Sequence, residues 1–241
     1  MAGAIDKGTE LDRYSKRHIH YYTEEIPALI EEIFKNNKIK NVGDLGSGDG
    51  AILYALLKKG YLEDIQSIVA VDISNERISR VKEISGKIRA IAVDICDLHM
   101  IDSMTLDLVM SSQVIEHVQD EKRLLDEAYR VLRPNGFLYL STVYKRWYGW
   151  YFYRCRGRWV LDPTHLREYQ SENQLLDLFK GYNFKLLENS MKLQWFPVTD
   201  FVFKRIGMGR QVYNNKTARL LRNIKIPIFG YYNWELVFKK G

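Results

Sequence analysis

The chain has 241 residues, 46% of them hydrophobic and 27% charged, with a formal net charge of +6. That composition excludes a disordered chain and leaves room for a single domain over 1–241 with a core of ordinary size. No apolar run approaches the roughly eighteen residues that span a bilayer.

The N-terminus is polar and does not read as a secretory signal. Residues 21–36 place Ile26, Leu29, Ile30, Ile33 and Phe34 at helical spacing, with Thr23 as the expected N-cap. A short apolar strand at 39–45 leads into a glycine-rich turn and a helix carrying Ile52, Leu53, Leu56 and Leu57. The alternation continues as strand 67–73, helix 75–85, strand 88–93, strand 106–110, helix 120–132 and strand 136–142. Residues 132–136 (LRPNG) read as a helix end and a turn into that last strand. This rhythm predicts an α/β fold with a mostly parallel sheet and crossover helices.

After residue 142 the rhythm breaks. Half of residues 144–160 are aromatic, and they fit neither a strand nor a helix period. Ser171 is expected to cap a helix with Leu175, Leu176, Leu178 and Phe179 on one face. Strands are expected at 183–189 and 231–239, with helical structure between them because the gap is too long for a hairpin loop. Charge is uneven too. Residues 144–160 carry five bases and no acid, and residues 192–225 carry eight bases against Asp200 alone. Together they contribute +12, so the rest of the chain is −6. Cys96 and Cys155 lack any metal or disulfide spacing, as expected of free thiols in a reducing cytoplasm.

The sharpest motif is residues 42–50, VGDLGSGDG, a strand that ends in a G-x-G-x-G turn and opens a helix. Glycines there let the backbone approach a ligand and adopt positive φ. Gly46, Gly48 and Ala51 alone also satisfy a dinucleotide pattern, with Asp72 at an acceptable distance for a ribose. Asp44 argues against a pyrophosphate, which its carboxylate would repel, and for the ammonium and sulfonium of S-adenosylmethionine. Asp72 ends the second strand, where it could accept both ribose hydroxyls. Asp94 ends the third, where it could accept an adenine amino proton.

With these motifs and the segments LDLVMSSQVIEHV and LLDEAYRVLRPNGFLYLS, the sequence resembles the class I S-adenosylmethionine-dependent methyltransferases. The resemblance is to the broad group that includes ubiquinone-biosynthesis O-methyltransferases. It is strong over 39–142 and continues weakly through DPTHLREYQSENQLLDLF at 162–179. It implies a Rossmann-like seven-stranded sheet in the order 3-2-1-4-5-7-6, last strand antiparallel, with helices on both faces and S-adenosyl-L-methionine as methyl donor. It also implies Asp44, Gly46, Ser47 and Gly48 at the methionine end, Asp72 with Ile73 at the ribose, Asp94 with Ile95 at the adenine, and the Ser111 backbone near the amino acid.

Methyl transfer from a sulfonium needs alignment and often removal of an acceptor proton. The candidates for that proton are Glu116 and His117 after the fourth strand and His165 in the PTHLREY segment. The bland alternative has Glu116 and His117 starting a helix and His165 ordering a loop. A metal at these residues is not expected, because relatives that resemble this segment have a Glu where this chain has Gln113, and hard cations favour carboxylates. The insertions at 144–164 and 191–229 are expected to form a basic, aromatic cap over the acceptor. The expected acceptor is a small, anionic or membrane-associated metabolite, and the expected location is the cytoplasm with peripheral contact to an anionic membrane. RNA is the less favoured partner; a cofactor-binding protein without chemistry and a dehydrogenase are remoter readings.

Overall fold

Apolar runs become strands and amphipathic runs become helices over most of the chain. The computed structural model describes residues 12–13, 15–16, 20–155 and 157–241. From Ala28 onward its elements run α1 (Ala28–Asn36), β1 (Asn41–Leu45), α2 (Ala51–Lys58), β2 (Ser67–Asp72), α3 (Asn75–Lys82), β3 (Ile88–Ala92), β4 (Leu106–Ser112), α4 (Glu121–Val131) and β5 (Leu132–Lys145). A hairpin of β6 (Tyr153–Cys155) and β7 (Arg158–Val160) follows, then α5 (Glu172–Leu176) and β8 (Phe184–Pro197). The chain ends with α6 (Val198–Arg205), α7 (Lys216–Leu221) and β9 (Lys225–Lys240).

The sheet runs β3-β2-β1-β4-β5-β9-β8, with the β6–β7 hairpin apart from it. Leaving the hairpin out, β8 and β9 are the sixth and seventh strands, and the order is the expected one. The pairs from β3 to β5 are parallel, and β9 lies antiparallel to both β5 and β8. Alternation along β2 shows how both faces are filled. Ile68 and Ala70 face a cluster with α1, α2 and α3, while Val69 and Val71 face one with α4, Leu175 and Phe179. Every residue of β1 and β2 after the first is buried, as a parallel sheet covered on both sides requires.

Three expectations need correction. Helix α1 begins at Ala28, not near Thr23, because Pro27 takes the N-cap position and holds the residue before it out of the helical region. Thr23 Oγ1 instead accepts the Glu25 N–H in a local turn (3.3 Å). Residues 20–22 stay outside the helix and pack: Tyr22 stacks on Tyr54 with ring centroids 4.6 Å apart. The LRPNG segment does not separate a helix from a later strand. Leu132 already pairs with Leu106, the next four residues bulge out, and Phe137 resumes pairing with Leu108. Asn135 adopts the positive φ of 64° that this bulge needs. Finally, β8 and β9 run on to Pro197 and Lys225, well past the expected ends. Val143, Ile228 and Tyr231 supply the extra apolar packing, with Phe196 against them. Between these two strands lie α6 and α7, where Phe203, Tyr213 and Ala218 bury against Tyr21. Among the described residues no helix is long and apolar enough to cross a membrane.

A buried ion pair fastens the segment before α1 to the glycine-rich turn. Asp49, 1% exposed, accepts from Arg80 Nη1 (3.0 Å) and from the His20 N–H (2.7 Å). The same Arg80 nitrogen donates to Ser15 O, and Tyr22 Oη donates to Asp49 O. Removing the guanidinium would leave a buried carboxylate without its cation. We predict that Arg80→Met lowers stability by about 3 kcal/mol or more. Urea unfolding checks this, and an unchanged midpoint would mean the pair contributes nothing.

Candidate active site

The sheet brings most of the expected residues to one place, the carboxyl ends of β1, β2 and β4, where strand order reverses between β1 and β4. After Leu45 the chain turns through Gly46 (φ 79°), Gly48 (φ 55°) and Gly50 (φ 78°) into α2. The N–H groups of Gly46 and Ser47 both donate to Val71 O at 2.8 Å, which pins the turn to β2. A Cβ on Gly46 would lie 2.4 Å from Val114 Cγ2, so the post-β4 loop can close on the turn only over a glycine. Ser47 Oγ and Ser111 Oγ are buried here with no partner among the described residues. Unsatisfied buried hydroxyls on either side of a glycine cradle fit a polar ligand.

The three carboxylates differ in setting. Asp44 is 2% exposed, and burial, then the nearby Asp72 carboxylate, pushes its carboxyl up to about 7. A buried acid of this kind ionises readily only beside a cation, such as the ammonium or sulfonium of S-adenosylmethionine would supply. Asp72 is buried at the last position of β2. Its Oδ2 accepts from the Gly48 N–H and its Oδ1 from the Ser74 N–H, both at 2.9 Å, with Arg77 Nη1 3.5 Å away. A carboxylate has about four acceptor positions, so lone pairs remain for a ligand. Asp94 lies two residues beyond β3 and is exposed, with Oδ1 accepting the Cys96 N–H. Ile73 is half-buried and Ile95 buried beside these acids, and the Val93 N–H donates to Asp72 O, which joins the ends of β2 and β3. The donor set therefore fits S-adenosylmethionine.

On the acceptor side, Glu116 and His117 do not start a helix; they sit in a turn, with α4 beginning at Glu121. The Leu166 and Arg167 N–H groups donate to Glu116 O, which fixes the PTHLREY segment onto the post-β4 loop. Glu116 is fully buried. Its Oε2 accepts from Thr142 Oγ1 (2.9 Å), while Oε1 has no partner among the described residues. Burial pushes its carboxyl up to about 7, moderated by its own backbone N–H and by His165.

The hydrogen bonds also assign both imidazole tautomers. Thr164 Oγ1 donates its proton to Asp162 (2.6 Å), so it must accept from His117 Nδ1 at 3.1 Å, and Thr164 O, 3.2 Å away, can only accept. His117 therefore carries its proton on Nδ1. Burial first, and then the His165 charge, hold its pKa well below the ordinary imidazole range. His165 Nδ1 faces Glu168 Oε1 at 3.0 Å, with both side chains at least nine-tenths buried. Its proton too belongs on Nδ1, and Nε2 is left as the basic nitrogen. Glu168 is itself held by the Leu161 N–H (2.6 Å) and by Lys145 Nζ (3.4 Å). Burial works to raise its carboxyl, but the bonds from His165 and Leu161 outweigh that and hold it below the usual range.

The two imidazoles meet edge to face, centroids 4.8 Å apart. One ligand atom from each of Glu116, His117 and His165 lies within 4.8 Å of the others, so these three could hold a cation. The set offers a single carboxylate, and Gln113 donates its amide to Asn233 Oδ1 (2.9 Å).

Sequence reasoning missed Glu168, Thr142, Thr164 and Arg77. Only Glu168 carried a local signal, a carboxylate three residues after His165. Arg77, its Nε buried and without a partner among the described residues, lies beside Asp72.

Comparison with known proteins agrees with the fold. Residues 43–140 match a family described as a methyltransferase domain. A ubiquinone biosynthesis O-methyltransferase of Pelagibacter ubique is 23% identical over 216 residues, covering 81% of this chain and 88% of that one. A probable S-adenosylmethionine-dependent methyltransferase of Mycobacterium tuberculosis is 31% identical over 128 residues, covering 53% of this chain and 42% of that one. Among solved structures, a SAM-dependent methyltransferase from Archaeoglobus fulgidus superposes with a TM-score of 0.55 at 20% identity, covering 88% of this chain and 90% of that one. The [4+2]-cyclase SpnF superposes at 0.61 and 18%, covering 97% and 95%, so superposition at this level speaks for the fold alone. These matches support a class I S-adenosylmethionine-dependent methyltransferase, with residues 43–140 as its methyltransferase domain.

If Asp72 holds the ribose, Asp72→Ala removes a buried double hydrogen bond, and affinity for S-adenosylmethionine should fall about 30- to 150-fold. Calorimetry measures this directly; unchanged affinity would place the ribose elsewhere.

Proposed function

We propose that this enzyme methylates an oxygen or nitrogen of a small, anionic or membrane-associated metabolite, such as a quinone, lipid or glycan intermediate. The observation that carries the reading is the Glu116–His117–His165 cluster: it stands on the loop that closes over the glycine turn through Val114, His117 forms its open side, and buried Glu116 has one carboxylate oxygen without a partner among the described residues. When bound, S-adenosylmethionine supplies an electrophilic methyl group on a sulfonium. Asp44, Gly46, Ser47, Gly48 and Ser111 would hold its methionine portion, Asp72 and Ile73 its ribose, and Asp94 and Ile95 its adenine.

Glu116 Oε1 takes the acceptor proton, because a carboxyl near 7 combines a large ionised fraction with useful basicity. His165, backed by Glu168, orients the acceptor through Nε2, and neutral His117 completes the wall. The two insertions form the cap. Residues 144–164 meet the acceptor loops where Trp159 O accepts from Lys145 Nζ beside Glu168. Residues 191–229 reach the other side, where the Tyr22 N–H donates to Arg210 O and Tyr54 Oη to Asn214 Oδ1. An oxygen acceptor accords with the relatives' names, which include a malonyl-[acyl-carrier protein] O-methyltransferase as well as the ubiquinone enzymes. The exposed bases of the cap carry a second reading, an RNA acceptor.

Tritiated methyl transfer into a total extract, separated into lipid, RNA, protein and small polar fractions, tests the class of acceptor. Label in the lipid or small-molecule fraction supports the proposal; label in nuclease-sensitive material supports RNA instead. At saturating S-adenosylmethionine, the rate should fall about tenfold per pH unit below 7, where Glu116 takes up a proton. Glu116→Gln should lower kcat by about 10²- to 10⁴-fold and abolish that acidic limb. A variant that keeps the limb would remove Glu116 from the role of base. Exhaustive chelation should leave the wild-type rate unchanged, and a rate restored only by added divalent ion would assign the cluster to a metal.

A further inference from the structure

The outer aromatic residues are not all spent on packing. Trp147 is 88% exposed, Phe229 71% and Phe152 68%, values far above those of core aromatics such as Trp234. They come from two chain segments brought to one edge. The Arg146 N–H donates to Gly230 O at 2.8 Å, and a Cβ on Gly230 would lie 2.4 Å from Gly149 Cα. That backbone contact sets Phe229 beside residues 147–150, and Trp150 in turn touches Phe152 and Trp159. Neither segment carries an acid: residues 144–160 and 224–232 contain only bases among their charged residues. Arg154 lies over the Trp159 ring at 5.1 Å, and Arg146 over Tyr144 at 5.2 Å.

We propose that this edge is a docking face for an anionic lipid surface. Exposed aromatics flanked by cations suit the interfacial region of a bilayer, where rings bury among the headgroups and each base adds attraction to anionic lipid. The ring geometry favours lipid over single-stranded nucleic acid. Trp147 meets Tyr148 at 90°, and Trp150 meets Phe152 at 66° and Trp159 at 63°, so no run of parallel faces awaits successive bases. Interfacial rings need no common orientation. The face is also continuous with the acceptor site. Two residues beyond Trp159, the Leu161 N–H donates to Glu168, the partner of His165. Docking would place the acceptor entrance against the lipid, and in this the face deepens and rests on the reading of a membrane-associated acceptor.

Flotation of the full chain with vesicles tests the face without any methyl acceptor. The chain should bind vesicles of equal parts phosphatidylglycerol and phosphatidylcholine, ignore phosphatidylcholine alone, and detach as salt rises. The combined variant Trp147→Ser, Phe152→Ser, Phe229→Ser should bind about tenfold or more weakly. Its melting temperature and affinity for S-adenosylmethionine should match the wild type, because these side chains are outside the core. Arg154→Glu with Arg158→Glu should lose binding by the electrostatic route, with the aromatic residues intact. Absence of wild-type binding to the anionic vesicles, undiminished binding by the triple variant, or tighter binding to polyuridylate than to vesicles would each overturn the proposal. A chain that floats with anionic vesicles yet methylates only RNA would defeat the functional reading and leave the docking face standing. A chain that methylates a water-soluble metabolite and ignores vesicles would do the reverse.

Discussion

The buried carboxyl of Asp44 sits at the end of β1, beside that of Asp72, in a space from which water is largely excluded. Two acids in such a setting resist ionising together, and among the described residues no cation relieves the conflict at Asp44. It satisfies Asp72 instead, with the Gly48 and Ser74 N–H groups and the nearby Arg77. The glycine turn follows from the same constraint. Gly48 must bring its N–H to Asp72, and Gly46 must let Val114 close over it, so both adopt positive φ. What remains among the described residues is a cradle with an acid that lacks a cation and two hydroxyls that lack partners. A positively charged nucleoside with an amino acid tail answers each of these deficits.

The acceptor side is built on a second shared constraint, the attachment of the PTHLREY segment to the loop after β4. Backbone bonds to Glu116 O and the Arg167 guanidinium on Ile115 O (3.0 Å) hold the two loops together. That union is what buries Glu116 and raises its carboxyl, and what sets His165 against His117. Glu168 and Thr164 then fix which nitrogen of each ring carries the proton. Methyl transfer asks little more of a protein than alignment and a waiting base, and under the proposed function the two joined loops would provide both.

Much of this was legible in the sequence because it is local. The strand–turn–helix at 42–50 and the acids near three successive strand ends depend on neighbours in the chain and on the period of burial. The start of α1 was misplaced because Ile26 fits a helical face, yet Pro27 decides the boundary. The long β8–β9 arm was hidden because its outer half is stabilised by Val143 and Phe196, contacts that no periodicity announces. The partners of Glu116 and His117 were invisible for the same reason: Thr142 reaches Glu116 across 26 positions, and Thr164 reaches His117 across 47. The aromatic segment announced itself by composition, but which rings face out depends on the contact between Gly149 and Gly230.

The central claim is that Asp44 is an acid waiting for a cation. Titration of the side-chain carboxyls by carbon NMR, in aspartate-labelled protein with Asp44→Asn for assignment, tests it most directly. The free chain should show Asp44 titrating near pH 7, and saturating S-adenosylmethionine should move that midpoint down, with release of a proton on binding at neutral pH. A midpoint in the ordinary carboxylate range near about 4 in the free chain, or one near 7 that the ligand leaves in place, would contradict the account.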